Sequence, residues 1–294
     1  MRIYLCILLS KKNSKFLKDL LNSIEKLKSI SYIKLTFVFV IDQKIKYKKN
    51  FIKKIITKFN FIILVSNKDS IPYSRNLFLK FLKKKDYDFA GFIDDDCIMN
   101  NNWLFNMNKF IKENHVSVVG GPQKHLYSNK FFKLCYEYLE PHRDHGSKVE
   151  WVATNNCFFS KKIFELKNIK FNENLKNFGG SDQLFFKKLS VNNYLIKWNA
   201  KSYVIENIQK NRENLKWFFK RNFRYGYSGN IIDESIYPRK FIFIIVLKIL
   251  YLLLFSIFFL ILPSKKNLIK SNFFFARACG RLAGLFNYKP KKYI

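Results

Sequence analysis

The chain has 294 residues, room for one large domain or two small ones, and 48% of them are hydrophobic, 33 being Phe, which excludes a disordered chain. Lys and Arg number 54 against 21 Asp and Glu, and a net charge of +33 calls for a negatively charged neighbour: nucleic acid, an anionic membrane surface or a phosphorylated substrate. Lys, Asn, Ile and Phe are abundant together, a compositional bias that accounts for part of that excess.

The N-terminal run "MRIYLCILLSKK" is too short, and lacks a small-residue cleavage site, to be a signal peptide; it reads as a first strand. Further apolar runs at 34–41, 60–65 and 88–93 are short and rich in Ile, Val, Phe and Leu. Between the first two, "NSKFLKDLLNSIEKLKS" places Phe16, Leu17, Leu20, Leu21, Ile24 and Leu27 on one helical face, with Asn13 or Ser14 as cap. Strands alternating with helices predict a parallel sheet covered on both faces. In such sheets ligands bind beyond the carboxyl ends of the strands. There the four runs end in Ser10, Asp42, Ser66–Asn67 and Asp94–Asp96, so polar and acidic side chains gather at one edge. No GxGxxG follows the first strand and no GxxxxGK[ST] occurs, which excludes both glycine-loop solutions to phosphate binding.

Three adjacent carboxylates in "FIDDDC" repel one another unless a cation relieves them. In an extended chain Asp94 and Asp96 point to the same side, an oxygen pair suited to Mg²⁺ or Mn²⁺, and Asp95 points away. "SIPYSRN" offers Arg75 and Asn76 at the start of a third helix. Residues from about 115 to 207 read as a mixed region of strands, with helices near 129–140 and 182–190. Within it "HRDH", with His142 and His145, reads as a surface loop; five cysteines without a CxxC pair give no zinc spacing and fit reduced thiols. In "NFGGSDQLFFKKL", Asp182 follows Gly179, Gly180 and Ser181 at a helix start, where a carboxylate serves either as a cap or as a general base. "WFFKRNFRYGYS", inside a basic helical stretch at 208–229, sets Arg221 and Arg224 on one face among aromatics, suited to phosphate or to a membrane surface. The run 241–262 exceeds the ~20 apolar residues needed to cross a bilayer, broken mainly by Lys248 and Ser256. The basic, aromatic tail beyond it conflicts with a simple span, because positive charge should stay on the cytoplasmic side, which leaves a hairpin, an interfacial helix or a span that breaks this rule.

Taken in order, these segments resemble family 2 glycosyltransferases of the GT-A fold over roughly residues 1 to 230. "FIDDDCIMNNNWL" resembles the family's DxD strand and the Trp-Leu after it, and "VATNNCFFSKKIFE" the segment before its acceptor site. "FNENLKNFGGSDQLFFKKL" is similar to the GGED block, with Ser181 replacing an acid, and "RNFRYG" to the (Q/R)xxRW element, with Tyr225 for Trp. The resemblance implies an α/β, Rossmann-like mixed sheet divided into a nucleotide-binding half (1–100) and an acceptor half (101–230), and the apolar run with its basic tail adds a membrane-associated region at 231–294. The resemblance also implies an inverting, divalent-metal-dependent transfer from a nucleotide-sugar donor to an acceptor hydroxyl, and membrane attachment of the C-terminal region makes a saccharide or lipid-linked acceptor in cell-surface polysaccharide or glycolipid synthesis the expectation. By position, Ser10, Asp42, Asn67, Arg75, Asp94, Asp95, Arg221 and Arg224 would bind the donor; Asp94 and Asp96 the metal; Gly179, Gly180 and Ser181 the acceptor region; and Asp182 would be the base. Glu206 stands where some relatives carry a His near the metal. Membrane attachment with the catalytic region cytoplasmic would give the charge an anionic surface as partner, and no nucleic acid is expected. A non-catalytic basic membrane protein and a metal-dependent nucleotidyltransferase are the alternatives.

Overall fold

The computed structural model describes residues 1–9, 14–43, 48–137, 142–262, 264–286 and 288. Its first strand, β1 (Arg2–Leu9), shows how the sequence builds the sheet. Ile3, Leu5, Ile7 and Leu9 point into one apolar cluster and Tyr4, Cys6 and Leu8 into another, so both faces of the strand are covered and its sequence is apolar without alternation. The first cluster is closed by Leu17, Leu20, Leu21 and Ile24 of α1 (Ser14–Glu25), the face expected from its spacing, and by Ile52 of α2 (Lys48–Ile55). The second is closed by Phe78, Leu79 and Leu82 of α3 (Ile71–Leu82), which Ser70 caps by accepting from the Tyr73 amide.

β1 pairs in parallel with β2 (Lys34–Asp42) and β4 (Phe89–Asp94), and β2 with β3 (Asn60–Ser66). Beyond β4 the chain forms β5 (Cys97–Met99), α4 (Trp103–Asn114), β6 (Val118–Gly120), β7 (Gln123–Leu126), α5 (Lys130–Glu137) and β8 (Asn156–Ser160). Then come α6 (Ser181–Val191), β9 (Ile196–Trp198), β10 (Val204–Asn207), α7 (Leu215–Ile236), α8 (Phe241–Ile261) and α9 (Lys265–Leu285). The main sheet has the order β3-β2-β1-β4-β8-β6-β9 and a second, smaller sheet the order β5-β10-β7. β8 runs antiparallel between β4 and β6, so the sheet is mixed, as expected.

The described residues fall into two compact units. The first comprises Met1–His125, Arg143–Glu173 and Phe185–Asn207, and contains both sheets. The second comprises Leu126–His142, Asn174–Leu184 and Ile208–Ile294, and is helical. The basic helix foreseen at 208–229 starts later and ends later, at Leu215 and Ile236. The tail after the apolar run is a helix of 21 residues, α9.

Candidate active site

In the first unit, parallel pairing brings strand ends to one edge. Asp42 lies opposite Ser66 in the β2–β3 register, and Asp94 opposite Leu8 in the β1–β4 register. Ser66 is buried: its hydroxyl donates to the Lys68 carbonyl at 2.9 Å and accepts from Ser74 at 3.1 Å. Asn67 is exposed beside it. Ser10 lies outside the described residues. From α3, the buried Arg75 guanidinium lies 5.4 Å from the Phe171 ring. It reaches the same interior as Asp94: burial pushes the Cys6 thiol well up, Arg75 opposes that shift, and Cys157 and Asp94 add to it. Asn76 has a structural task, clamping the Phe171 backbone by accepting from its amide (2.8 Å) and donating to its carbonyl (2.9 Å).

The three aspartates do not continue an extended strand. β4 ends at Asp94, and Asp95–Asp96 form the turn into β5. Asp94 is half-buried, whereas Asp95 and Asp96 are both buried. The alternation that turned Asp95 away therefore fails at the turn.

A fourth carboxylate stands on the strand paired with β5. Glu206 on β10 pairs across the ladder with Cys97, the residue after Asp96, and is buried. Gln123 Nε2 donates to Glu206 Oε2 at 2.6 Å, and His125 Nδ1 lies 3.1 Å from the same oxygen. Gln123 is in turn oriented by Asn155, which donates to its Oε1. The Cys97 thiol registers this concentration of charge: burial pushes it well up, and Asp94, Asp96 and Glu206 push it further. Beneath the turn, Trp103 Nε1 donates to Asn156 Oδ1 at 2.8 Å, while Asn156 Nδ2 donates to the carbonyls of Ser202 (2.7 Å) and Pro122 (3.1 Å). One buried amide thus ties the loops around the aspartates together.

These carboxylates are hard oxygen donors in a basic chain, the chemistry a Mg²⁺ or Mn²⁺ ion requires. Among the described residues, no group of three or more His, Cys, Asp or Glu is placed to hold a metal ion. The fit is therefore to a cation held by one or two carboxylates and completed by a ligand.

In the second unit, Gly179 and Gly180 both adopt φ of +80°, a conformation that side-chain-bearing residues rarely enter. They turn the chain into α6, where Ser181 is buried and Asp182 is half-buried in the first turn, its Oδ1 accepting from the Gln183 amide at 2.9 Å. A Cβ on Gly180 would sit 3.2 Å from Ile232 and Ser228 of α7, so this turn rests on that helix. α7 also carries the two arginines. Arg221 donates from Nε to the Tyr225 hydroxyl at 3.0 Å and lies over Trp217 (4.9 Å), Tyr225 (5.5 Å) and Tyr136 (5.9 Å). Arg224 donates to the Lys220 carbonyl at 3.4 Å.

The profile of glycosyl transferase family 2 matches residues 6–190, more than half of the chain. The chain belongs to glycosyl transferase family 2. Among solved structures it resembles the mannosyltransferase PcManGT from Pyrobaculum calidifontis, in complex with GDP-Man and Mn²⁺, with a TM-score of 0.64 at 12% identity over 98% of this chain and 88% of that one. It also resembles S. aureus TarS 1–349 in complex with UDP-GlcNAc, with a TM-score of 0.58 at 15% identity over 98% of this chain and 92% of that one. No curated protein matches the sequence. Both the family and the GT-A fold expected from the ordered motifs are thus borne out. Gln123, His125 and the Asn156 tether were not foreseen. Gln123 and His125 alternate along a short polar strand that has no apolar pattern, and only pairing with β10 reveals it.

Proposed function

We propose that this family 2 enzyme moves a sugar from a nucleoside-diphosphate donor to an acceptor hydroxyl with inversion at the anomeric carbon, in cell-surface polysaccharide or glycolipid synthesis. The observation that carries the reading is the family match, together with the carboxylates at the carboxyl edge of a parallel sheet. Asp42, Asn67 and Arg75, with Ser10, form the donor-binding set, and Asp94, Asp95 and Asp96 stand at its phosphate end. A divalent cation held by Asp94 and Asp96 would supply charge neutralisation to the leaving diphosphate. Arg221 and Arg224 add positive charge for the same group, and their aromatic setting restrains the Arg221 guanidinium.

In this reading the Asp182 carboxylate takes the proton of the acceptor hydroxyl. The acceptor oxygen bonds to the anomeric carbon as the bond from that carbon to the phosphate oxygen breaks, in a single in-line displacement. Gly179, Gly180 and Ser181 shape the acceptor side. Residues 1–230 are the transferase region, with a nucleotide-binding half at 1–100 and an acceptor half at 101–230; residues 231–294 attach it to the cytoplasmic face of a membrane. The acceptor is then a lipid-linked or growing saccharide.

The deciding experiment is a thermal-shift panel of sugar nucleotides with Mn²⁺ or Mg²⁺, with Asp96→Ala as control. One donor should stabilise the protein in a metal-dependent way, and the variant should lose that stabilisation. Failure of every donor would remove the reading.

A further inference from the structure

In α8, Ile245, Ile249, Leu252 and Ser256 are buried, while Ile242, Phe243, Val246, Leu247, Leu250, Tyr251, Leu254, Phe255, Ile257, Phe258, Leu260 and Ile261 are exposed. At about 100° per residue the buried positions fill an arc of roughly 60°, and the exposed ones an arc of roughly 220° on the opposite side. So large a contiguous apolar surface belongs against another apolar phase. Length and composition alone would let α8 cross a bilayer.

Its neighbours decide otherwise. α9 returns antiparallel along α8: Ser256 bonds Ser271, Lys270 lies over Phe259, Phe274 contacts Phe255 and Phe259, and Asp233 holds both Lys248 and Arg281. This register sets Arg277 and Arg281 against the middle of α8. α7 packs on α9 in turn: Gly280 packs on the Phe223 carbonyl, Gly226 on the Arg277 carbonyl, and Asn222 accepts from Arg277. If α8 crossed the bilayer, two arginines of α9, Lys248 and Asp233 would sit near its midplane, and the polar helix α7 would follow them. Such groups are expelled from that depth.

We propose that α8 does not cross the membrane but lies in the plane of an anionic leaflet, its exposed arc among the acyl chains and its buried side packed on α9, with Lys248 bonded to Asp233 of α7. The ends of the helix fit that placement. Exposed Arg239 and Lys240 precede it and exposed Lys265 and Lys266 follow it, so both termini meet headgroup phosphates in the same plane. The inference rests on the membrane attachment of 231–294 and adds its geometry.

The test uses the full chain. Vesicles of phosphatidylcholine with phosphatidylglycerol should bind it in flotation, and Leu250→Asp with Leu254→Asp should weaken partitioning by about tenfold or more while leaving the circular dichroism spectrum unchanged. No binding by the unaltered chain, or burial of the arc in a dimer indifferent to lipid, overturns both attachment and geometry. Single cysteines are then placed at Arg239→Cys and Lys266→Cys in spheroplasts expressing the chain, with the unaltered protein as blank for its native thiols. An impermeant maleimide should find both positions on one side of the membrane. Opposite sidedness means that α8 spans, which overturns the in-plane geometry while attachment stands.

Discussion

The carboxylates differ in what holds them, so their replacement separates their roles. Asp182 accepts from the backbone amide next to it, a local bond that an Asn oxygen can keep, so removing its charge disturbs little of the fold. Asp182→Asn is expected to keep donor binding and lower kcat by about 10²- to 10⁴-fold, the usual contribution of a positioned general base; transfer at an unaltered rate would assign the base elsewhere. Glu206 is the opposite case, buried and gripped by Gln123 beside His125. Glu206→Gln retains the shape but removes one of the three charges that press on Cys97. Its Mn²⁺-dependent donor affinity, read by titration calorimetry, should fall at least tenfold, since two unit charges about 12 Å apart at an effective dielectric of ~20 already interact by about 1.4 kcal/mol. An unchanged affinity would confine Glu206 to a structural role. Asp94 and Asp96 were legible because three acids after an apolar run stand out in a basic chain. Glu206 stood out only through the family resemblance, since its proximity to Asp96 arises from pairing across more than a hundred residues of chain.

At the level of elements, the strands that read most plainly were those buried on both faces. β1 falls within the first apolar run, and β2, β3 and β4 match their expected spans within one residue at each end, because a central parallel strand is a continuous apolar run. The small sheet escaped because β5, β7 and β10 are three or four residues each and polar in part. α9 escaped for another reason: its arginines and glycines are placed for a neighbour and spoil any apolar period. A Cβ on Gly280 would lie 1.9 Å from the Phe223 carbonyl oxygen, and one on Gly284 would lie 2.5 Å from the Asn230 side-chain amide. Backbone cannot yield as a side chain can. Gly280→Ala should therefore cost about 1–3 kcal/mol or more, and Gly284→Ala clearly less, when the two are compared by thermal unfolding. Equal costs would mean that the helices separate easily. The Asp233 carboxylate bonds Lys248 (2.7 and 2.8 Å) and Arg281 (2.8 Å) from a buried position. Asp233→Ala leaves two cations facing each other, and should cost on the order of 3 kcal/mol, the low end for a broken buried pair, because the Lys248 side chain is 41% exposed and screened.

For the molecule as a whole, the basic residues are spread almost evenly along the chain, while the acidic ones thin out toward the C-terminus. Residues 208–294 carry seventeen Lys and Arg against three Asp and Glu, and they include the one long helix whose exposed surface is apolar, among the described residues. Charge and apolar surface in one region make two separable contributions to membrane binding. The electrostatic one acts through a diffuse field and decays within a Debye length, about 10 Å at 0.1 M salt and about 3 Å at 1 M. The apolar one, set by the exposed arc of α8, is insensitive to salt over that range. Binding of the full chain to anionic vesicles should accordingly weaken steeply as salt rises and then level off at a residual value. That residue should match the binding to neutral phosphatidylcholine vesicles, and Leu250→Asp with Leu254→Asp should remove it. Arg239→Glu with Lys240→Glu should do the reverse, flattening the salt dependence and sparing the plateau. Flotation of all three proteins across a salt series reads both effects at once. A wild-type curve that falls to zero would make the attachment purely electrostatic, and one that is flat throughout would leave the excess of positive charge to composition alone.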